Sequence, residues 1–291
     1  MRVLVTGAAG KLGTAVVDDL VAHGHAVHAL DRVPVPARDG VTSTVLDLAD
    51  YGQVLEAVAG RTDDRGGAFD GVVHLGAIPA PGMAPNAVIF RNNTAATYNV
   101  FAAARAAGVR KVVWASSETL LGLPFDELPP YLPVDEEQPV RPQSSYSLGK
   151  AVDEEVARHF ARWDPQASLI GLRFSNVMTD EDYARFDSWQ DDPNLRAWNL
   201  WGYIDARDGA QAVRLALQAD RRGAEVFIIA AADTVLRADN ATVLTGRYAD
   251  IPVRGDVSGR VTLLSIAKAR RELGYEPQYS WIDRVQRPMH V

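Results

Sequence analysis

Seven residues near the start of the chain limit its fold more than any other stretch. They are Gly7-Ala8-Ala9-Gly10-Lys11-Leu12-Gly13, set directly after the apolar run Val3-Leu4-Val5-Thr6. A buried strand that ends in glycines and runs into an apolar-periodic segment reads as a strand turning tightly into a helix. Each glycine has its own task there. Gly7 makes the turn, Gly10 lets backbone approach a pyrophosphate, and Gly13 lets the helix lie close on the sheet. The helix N-terminus offers unpaired N–H groups and partial positive charge to that phosphate. A second apolar run, residues 26–30, ends at Asp31, where a carboxylate can accept from the hydroxyls of an adenosine ribose.

The same alternation continues. Leu12, Val16, Leu20 and Val21 share a helical face over residues 11–23. Strands are expected at 26–30, 41–46, 71–75, 111–115, 169–174 and 225–230. Helices are expected around residue 51 to residue 58 and at 86–107, 144–163, 208–218, 240–247 and 265–273. This predicts an α/β fold: a doubly wound parallel sheet with a small C-terminal substrate lobe. The core would be residues 1–173, with 205–230 returning to it. The lobe would use 174–204 and 231–291. Two stretches break the pattern. One follows Ser116-Ser117 and holds Pro124, Pro129, Pro130, Pro133, Pro139 and Pro142, the mark of a long loop near an active site. The other, 177–203, has no clear period.

Composition excludes several classes. The 291 residues carry a net charge of −7, which gives no support to a nucleic-acid or anionic-membrane partner. Cysteine is absent, so disulfides, thiolate metal sites and cysteine nucleophiles are out. No apolar stretch reaches membrane-spanning length, and the chain opens on a core strand, so a cytoplasmic location is expected.

Tyr146 and Lys150 lie four apart at the start of a helix and share a face. A cation beside a phenol favours the phenolate, which can exchange the proton of a substrate hydroxyl. Ser116 and Ser117 stand at the carboxyl end of a strand, the edge where open α/β sheets bind ligands. A serine there can hold the reacting oxygen.

The ordered set TGAAGKLG, DGVVHLGA, NNTAATYNV, VVWASSETLLG, YSLGK, RFSNV, YIDARDGAQAVRLAL and AKARRELGYEP resembles the extended short-chain dehydrogenase/reductases of the NAD-dependent epimerase/dehydratase type. It covers nearly the whole chain. The resemblance implies catalytic roles for Ser117, Tyr146, Lys150 and Asn93. It implies NAD contacts from Gly7, Gly10, Lys11, Leu12, Gly13, Asp31, Asp47, Leu48, Leu75, Gly76, Ala77, Tyr146, Lys150 and Asn176. NADP is expected less than NAD. Substrate contacts would fall on Ser116, Glu118, Thr119, Asn176 and Arg185. The family commonly pairs as a homodimer through helices that here would be 86–107 and 144–163.

Two departures bear on substrate. Val177 is followed by Met178-Thr179-Asp180 where relatives often have Tyr-Gly-Pro. The HLGA and ASS stretches and Asp187-Ser188-Trp189 are similar to uronate dehydrogenases, yet Glu118 stands where those carry an uncharged polar residue. A carboxylate there repels a sugar acid unless Arg185 or another cation intervenes. The leading expectation is an NAD-dependent oxidoreductase acting on a secondary alcohol or ketone of a sugar-like substrate. A sugar epimerase and a non-catalytic NAD(P) sensor are the alternatives. No metal is expected, because His23, His25 and His28 do not converge. His74 reads as a core histidine, Asp208 as a helix cap, and Trp189, Trp198 and Trp201 equally as packing or as sugar platforms.

Overall fold

Seven parallel strands lie in the order β3-β2-β1-β4-β5-β6-β9. The strands are β1 (Arg2–Thr6), β2 (Ala26–Asp31), β3 (Val41–Val45), β4 (Gly71–His74), β5 (Lys111–Ser117), β6 (Ser168–Phe174) and β9 (Gly223–Ile229), with a two-stranded parallel pair of β7 (Val177–Met178) and β8 (Ile204–Asp205) beside them. The helices are α1 (Lys11–Ala22), α2 (Tyr51–Val58), α3 (Asn86–Ala106), α4 (Ser145–Trp163), α5 (Ala206–Gln218), α6 (Asn240–Val243), α7 (Ala267–Leu273) and α8 (Trp281–Val285). The computed structural model describes residues 1–62 and 66–285. Residues 63–65 of the expected polar loop and 286–291 of the expected C-terminal piece lie outside the described residues.

Strand alternation divides the core between the two faces of the sheet. Val3 and Val5 of β1 point into a cluster with Val16, Val17 and Leu20 of α1 and Val213 of α5. Leu4, between them, points into the opposite cluster with Val54 of α2, Phe101 of α3 and Phe160 of α4. The strand order reverses between β1 and β4, so the crevice for a ligand opens at their carboxyl ends.

The expected elements are present to within a few residues. The differences have local causes. The expected helix 240–247 is broken: α6 ends at Val243, and a separate short turn covers Gly246–Tyr248, with Gly246 at φ 52°. The aperiodic stretch 177–203 holds β7 and two 3-10 segments, Asp182–Trp189 and Pro193–Asn199. Its order comes from aromatic packing. Phe186 meets Tyr183, Trp189, Tyr203 and Trp281 within 4.7–5.4 Å of ring centre. The Pro-rich loop is stitched to the C-terminal piece. Leu132 N donates to Pro252 O, and Val134 N donates to Leu263 O, both at 2.9 Å. One apolar cluster runs without a break from β1 through Phe174 and Tyr203 to Trp281.

Asp208 was expected to cap a helix. The cap of α5 is Asp205, whose side chain accepts from Arg207 N. Asp208 is fully buried and accepts from Gln278 N at 2.9 Å and Tyr279 N at 3.0 Å, fixing the chain ahead of α8. No helix among the described residues is long and apolar enough to cross a membrane.

Candidate active site

The glycine turn sits at the carboxyl end of β1. Gly7 has φ 69°, and a side chain there would put Cβ 2.6 Å from the amide nitrogen of Gly76 in the loop after β4. A Cβ on Gly13 would fall 2.0 Å from the Gly7 carbonyl oxygen. Both obstacles are backbone, so only glycine fits. Gly10 is the N-cap of α1 and gives no side chain to its first turn, whose amides have no side-chain cap. They remain available to an anion.

Around this turn the expected nucleotide contacts gather. Asp31 ends β2, and its carboxylate accepts from Ala9 N of the turn at 3.0 Å and from Arg32 N at 2.7 Å. Leu48 Cδ1 lies over Gly76, and Asn99 Nδ2 donates to Leu48 O at 2.9 Å. Asp47 accepts from Ala49 N at 2.9 Å. Leu75 and Gly76 donate their amides to Thr6 Oγ1, both at 3.2 Å. Leu12 packs against Gly209 of α5. Lys11 reaches away from the turn, to Asp182 Oδ2 at 2.6 Å.

On the catalytic side, the Ser144 hydroxyl and Ser147 close a capping box that starts α4 and sets Tyr146 and Lys150 in its first turns. Lys150 Nζ donates to Ala115 O at 2.7 Å, lies 3.8 Å from Asp153 Oδ2, and is 5.9 Å from the centre of the Tyr146 ring. Ser117 Oγ is 2.9 Å from Thr119 Oγ1 and accepts from Thr119 N, so Thr119 orients the serine.

Three expected site residues are occupied elsewhere. The Ser116 hydroxyl donates to Glu154 Oε1 at 2.6 Å, and Glu154 holds Arg173 in a buried bidentate pair with both bonds at 2.9 Å. Asn93 clamps the loop after β4, accepting from Ile78 N at 2.8 Å and donating to Ile78 O at 3.0 Å. Arg185 is exposed and lies 3.9 Å from Asp182.

The cation opposite Glu118 is Arg196, which no spacing or neighbouring motif sets apart from Arg185. Arg196 is buried, with its guanidinium over Trp189 and Trp198 at 4.6 and 5.1 Å. It donates to Asn176 Oδ1 and Gly202 O, each at 2.9 Å. Glu118 Oε1 accepts from Asn199 Nδ2 at 3.1 Å, while Oε2 is buried without a hydrogen-bond partner. Burial pushes the Glu118 carboxyl up to about 7 against the opposing pull of Ser175, Asn199 and Arg196. Burial pulls Arg196 down to about 10. Trp189 and Trp201 prove to be packing residues: Trp201 is buried and its indole N–H donates to Pro193 O at 2.7 Å. His74 is a satisfied core histidine, 2.8 Å from Thr6 Oγ1 and 3.3 Å from Thr97 Oγ1. No group of three metal-ligating side chains occurs among the described residues.

A glycine cradle at a sheet crevice, an acid at the end of β2, a serine at the end of β5 and a tyrosine and lysine on α4 beside it are the features of a Rossmann-class dehydrogenase or epimerase. The chain belongs to the NAD dependent epimerase/dehydratase family, whose match spans residues 3–230. It is 28% identical to L-arabinose 1-dehydrogenase (NAD(P)(+)) of Haloferax volcanii, over 75% of this chain and 83% of that one. It is 31% identical to a uronate dehydrogenase of Agrobacterium fabrum, over 65% of this chain and 66% of that one. A solved UDP-galactose 4-epimerase superposes with a TM-score of 0.70 at 26% identity, covering 98% of this chain and 96% of that one.

Proposed function

We propose that this protein is a net NAD-dependent dehydrogenase or reductase of a secondary alcohol or ketone in a neutral sugar-like substrate. Tyr146 takes the hydroxyl proton, Ser117 holds the same oxygen, and Lys150 supplies the positive charge that favours the phenolate. Asn93 acts on the site through the Ile78 loop. The first-turn amides of α1 would hold the pyrophosphate, and Asp31 the adenosine ribose. Bound in that cradle, NAD supplies a hydride acceptor.

The observation that carries the choice of substrate is the state of the cations around the substrate side. An epimerase of nucleotide sugars anchors a diphosphate, which calls for available positive charge. Among the described residues of 174–204 and 231–285, each cation already has a partner. Arg185 faces Asp182, and Arg196 is held by Asn176 and Gly202. Arg237, Arg260, Arg270, Arg271 and Arg284 pair with Asp187, Asp233, Glu276, Glu272 and Asp180. Arg247 and Lys268 donate to the Phe125 and Val226 carbonyls, and Arg254 lies over Tyr131. A diphosphate would have to break one of these contacts.

Screening neutral sugars, sugar acids and nucleotide sugars with NAD tests this reading. NADH accumulating well beyond one equivalent per subunit on a neutral sugar supports it. An epimeric product with no net change in NAD overturns it. Asp31 supports a preference for NAD, because its carboxylate repels a 2′-phosphate; tighter binding of NADP would reject that preference. A homodimer through α3 and α4 is proposed from the family habit and from Tyr98, Leu148 and Trp163, large apolar side chains exposed on those two helices. Light scattering showing a monomer at micromolar concentration would reject it.

A further inference from the structure

Behind Lys150 lies a line of buried polar side chains that the reaction described above does not use. Its first member is Thr6. Two amides, from Leu75 and Gly76, point at its Oγ1. A hydroxyl oxygen has two lone pairs and one proton, so the proton goes to the remaining neighbour, His74 Nδ1, at 2.8 Å. His74 is therefore protonated on Nε2 and donates from there to Thr97 Oγ1 at 3.3 Å. Burial and the Lys150 charge hold it neutral, pulling its pKa down to about 3. The Thr97 hydroxyl proton is left for the next group in line, Asp153.

Asp153 is buried, and neither of its oxygens closes a hydrogen bond of ordinary geometry. Its surroundings hold few charges. On its own helix it faces Lys150 and the neighbouring Glu154. Glu154 is neutralised by Arg173 of β6. From α3 it faces the Thr97 hydroxyl, and behind that stands the neutral His74 of β4. An isolated buried carboxylate 3.8 Å from an ammonium strongly offsets that ammonium's field.

We propose that Asp153 is a positioning residue that sets how much of the Lys150 charge reaches Tyr146, and that Thr97, His74 and Thr6 tie it to the nucleotide-binding loop at Leu75 and Gly76. The inference rests on the assignment of Tyr146 and Lys150 in the proposed function. It goes further in naming a carboxylate that works against the phenolate and a route by which the loop is coupled to it.

The test needs no substrate. Tyrosinate absorbance against pH, taken as the difference between each protein and its Tyr146→Phe counterpart, isolates the titration of Tyr146. It is measured in the free protein and with saturating NAD. Asp153→Asn removes the opposing charge and keeps the shape, so the Tyr146 midpoint should fall by about 0.5 to 1 pH unit. Thr97→Val withdraws a donor that offsets the Asp153 charge, so Asp153 opposes Lys150 more strongly and the midpoint should rise by a smaller amount. A folded Asp153→Asn protein with an unchanged midpoint in both states overturns the proposal, because a merely structural role alters melting temperature without moving this titration. Should Asp153→Asn not fold, Thr97→Val decides by the same criterion. A shifted midpoint in a protein that oxidises no sugar would reject the proposed function and leave this inference standing.

Discussion

The two sides of the cleft are built from different materials. The nucleotide side is mostly backbone: the turn of Gly7 against Gly76, the uncapped amides of α1, and Asp31 receiving the Ala9 amide. The side proposed for the sugar is mostly long side chains brought from far apart in sequence. Glu118 meets Asn199 across 81 positions, and Arg196 is sandwiched between Asn176 and two tryptophans. Backbone geometry tolerates almost no change at a few positions and is indifferent elsewhere. A side-chain network can exchange members while the fold persists, so one side can stay constant while the other takes new substrates.

Substitutions can break this contrast at either end. The largest effect is expected at the junction, from Tyr146→Phe. It should lower kcat by about 10²–10⁴-fold while NAD affinity changes little, since the ring remains and only the proton carrier is lost. Isothermal titration with NAD beside steady-state rates checks it; lost NAD binding with intact chemistry would falsify the role. Next comes Gly13→Ala on the nucleotide side. The new methyl overlaps the Gly7 carbonyl, so α1 must shift at a cost of about 1–3 kcal/mol. Both melting temperature and NAD affinity should drop, and a variant binding NAD as tightly as the parent would show that the turn is less rigid than the geometry requires.

The smallest effect is expected from Glu118→Gln on the sugar side, and it should appear as a pH dependence. Glu118 is raised from 4.5 to about 7 in the folded protein, so the folded state holds its proton longer than the unfolded chain does. Its contribution is fully present below pH 4.5 and is lost as pH rises through about 7. Glutamine carries no such proton. The melting temperature of the variant, relative to the parent, should therefore rise across that window. Parallel curves for the two proteins from pH 4.5 to 7 would count against a buried, proton-holding Glu118.

What the sequence disclosed follows the same division. The glycine spacing, the acid at Asp31, the Tyr146–Lys150 turn and the parallel α/β alternation could be read directly, because each depends on local geometry or on a regular β-α period. The partner of Glu118 could not be read. Arg185 and Arg196 look alike in a list of cations, and only tertiary packing exposes the first and buries the second under Trp189 and Trp198. Ser116 misled for a simpler reason. It adjoins Ser117, the serine proposed to hold the reacting oxygen, but its hydroxyl is committed to Glu154. Asp208 misled because acids near a helix start usually cap, and nothing nearby announced that its acceptors would serve residues 70 positions onward. Asp153 was within reach, since an acid three residues after Lys150 shares its helical face.

Trp281 has a bearing on how the molecule comes into being. Its ring is fully buried beside Phe186, its backbone N–H donates to the Tyr203 hydroxyl at 3.1 Å, and its indole N–H donates to Thr234 O at 2.9 Å. Every strand of the sheet precedes it. During synthesis the sheet can assemble while the aromatic hollow that awaits Trp281 stands open, an apolar surface of the kind that chaperones hold and that aggregates when unattended. A chain released before Ser280 should accordingly be recovered in the insoluble fraction far more than the full chain, and equal solubility of the two would show that the hollow closes on its own.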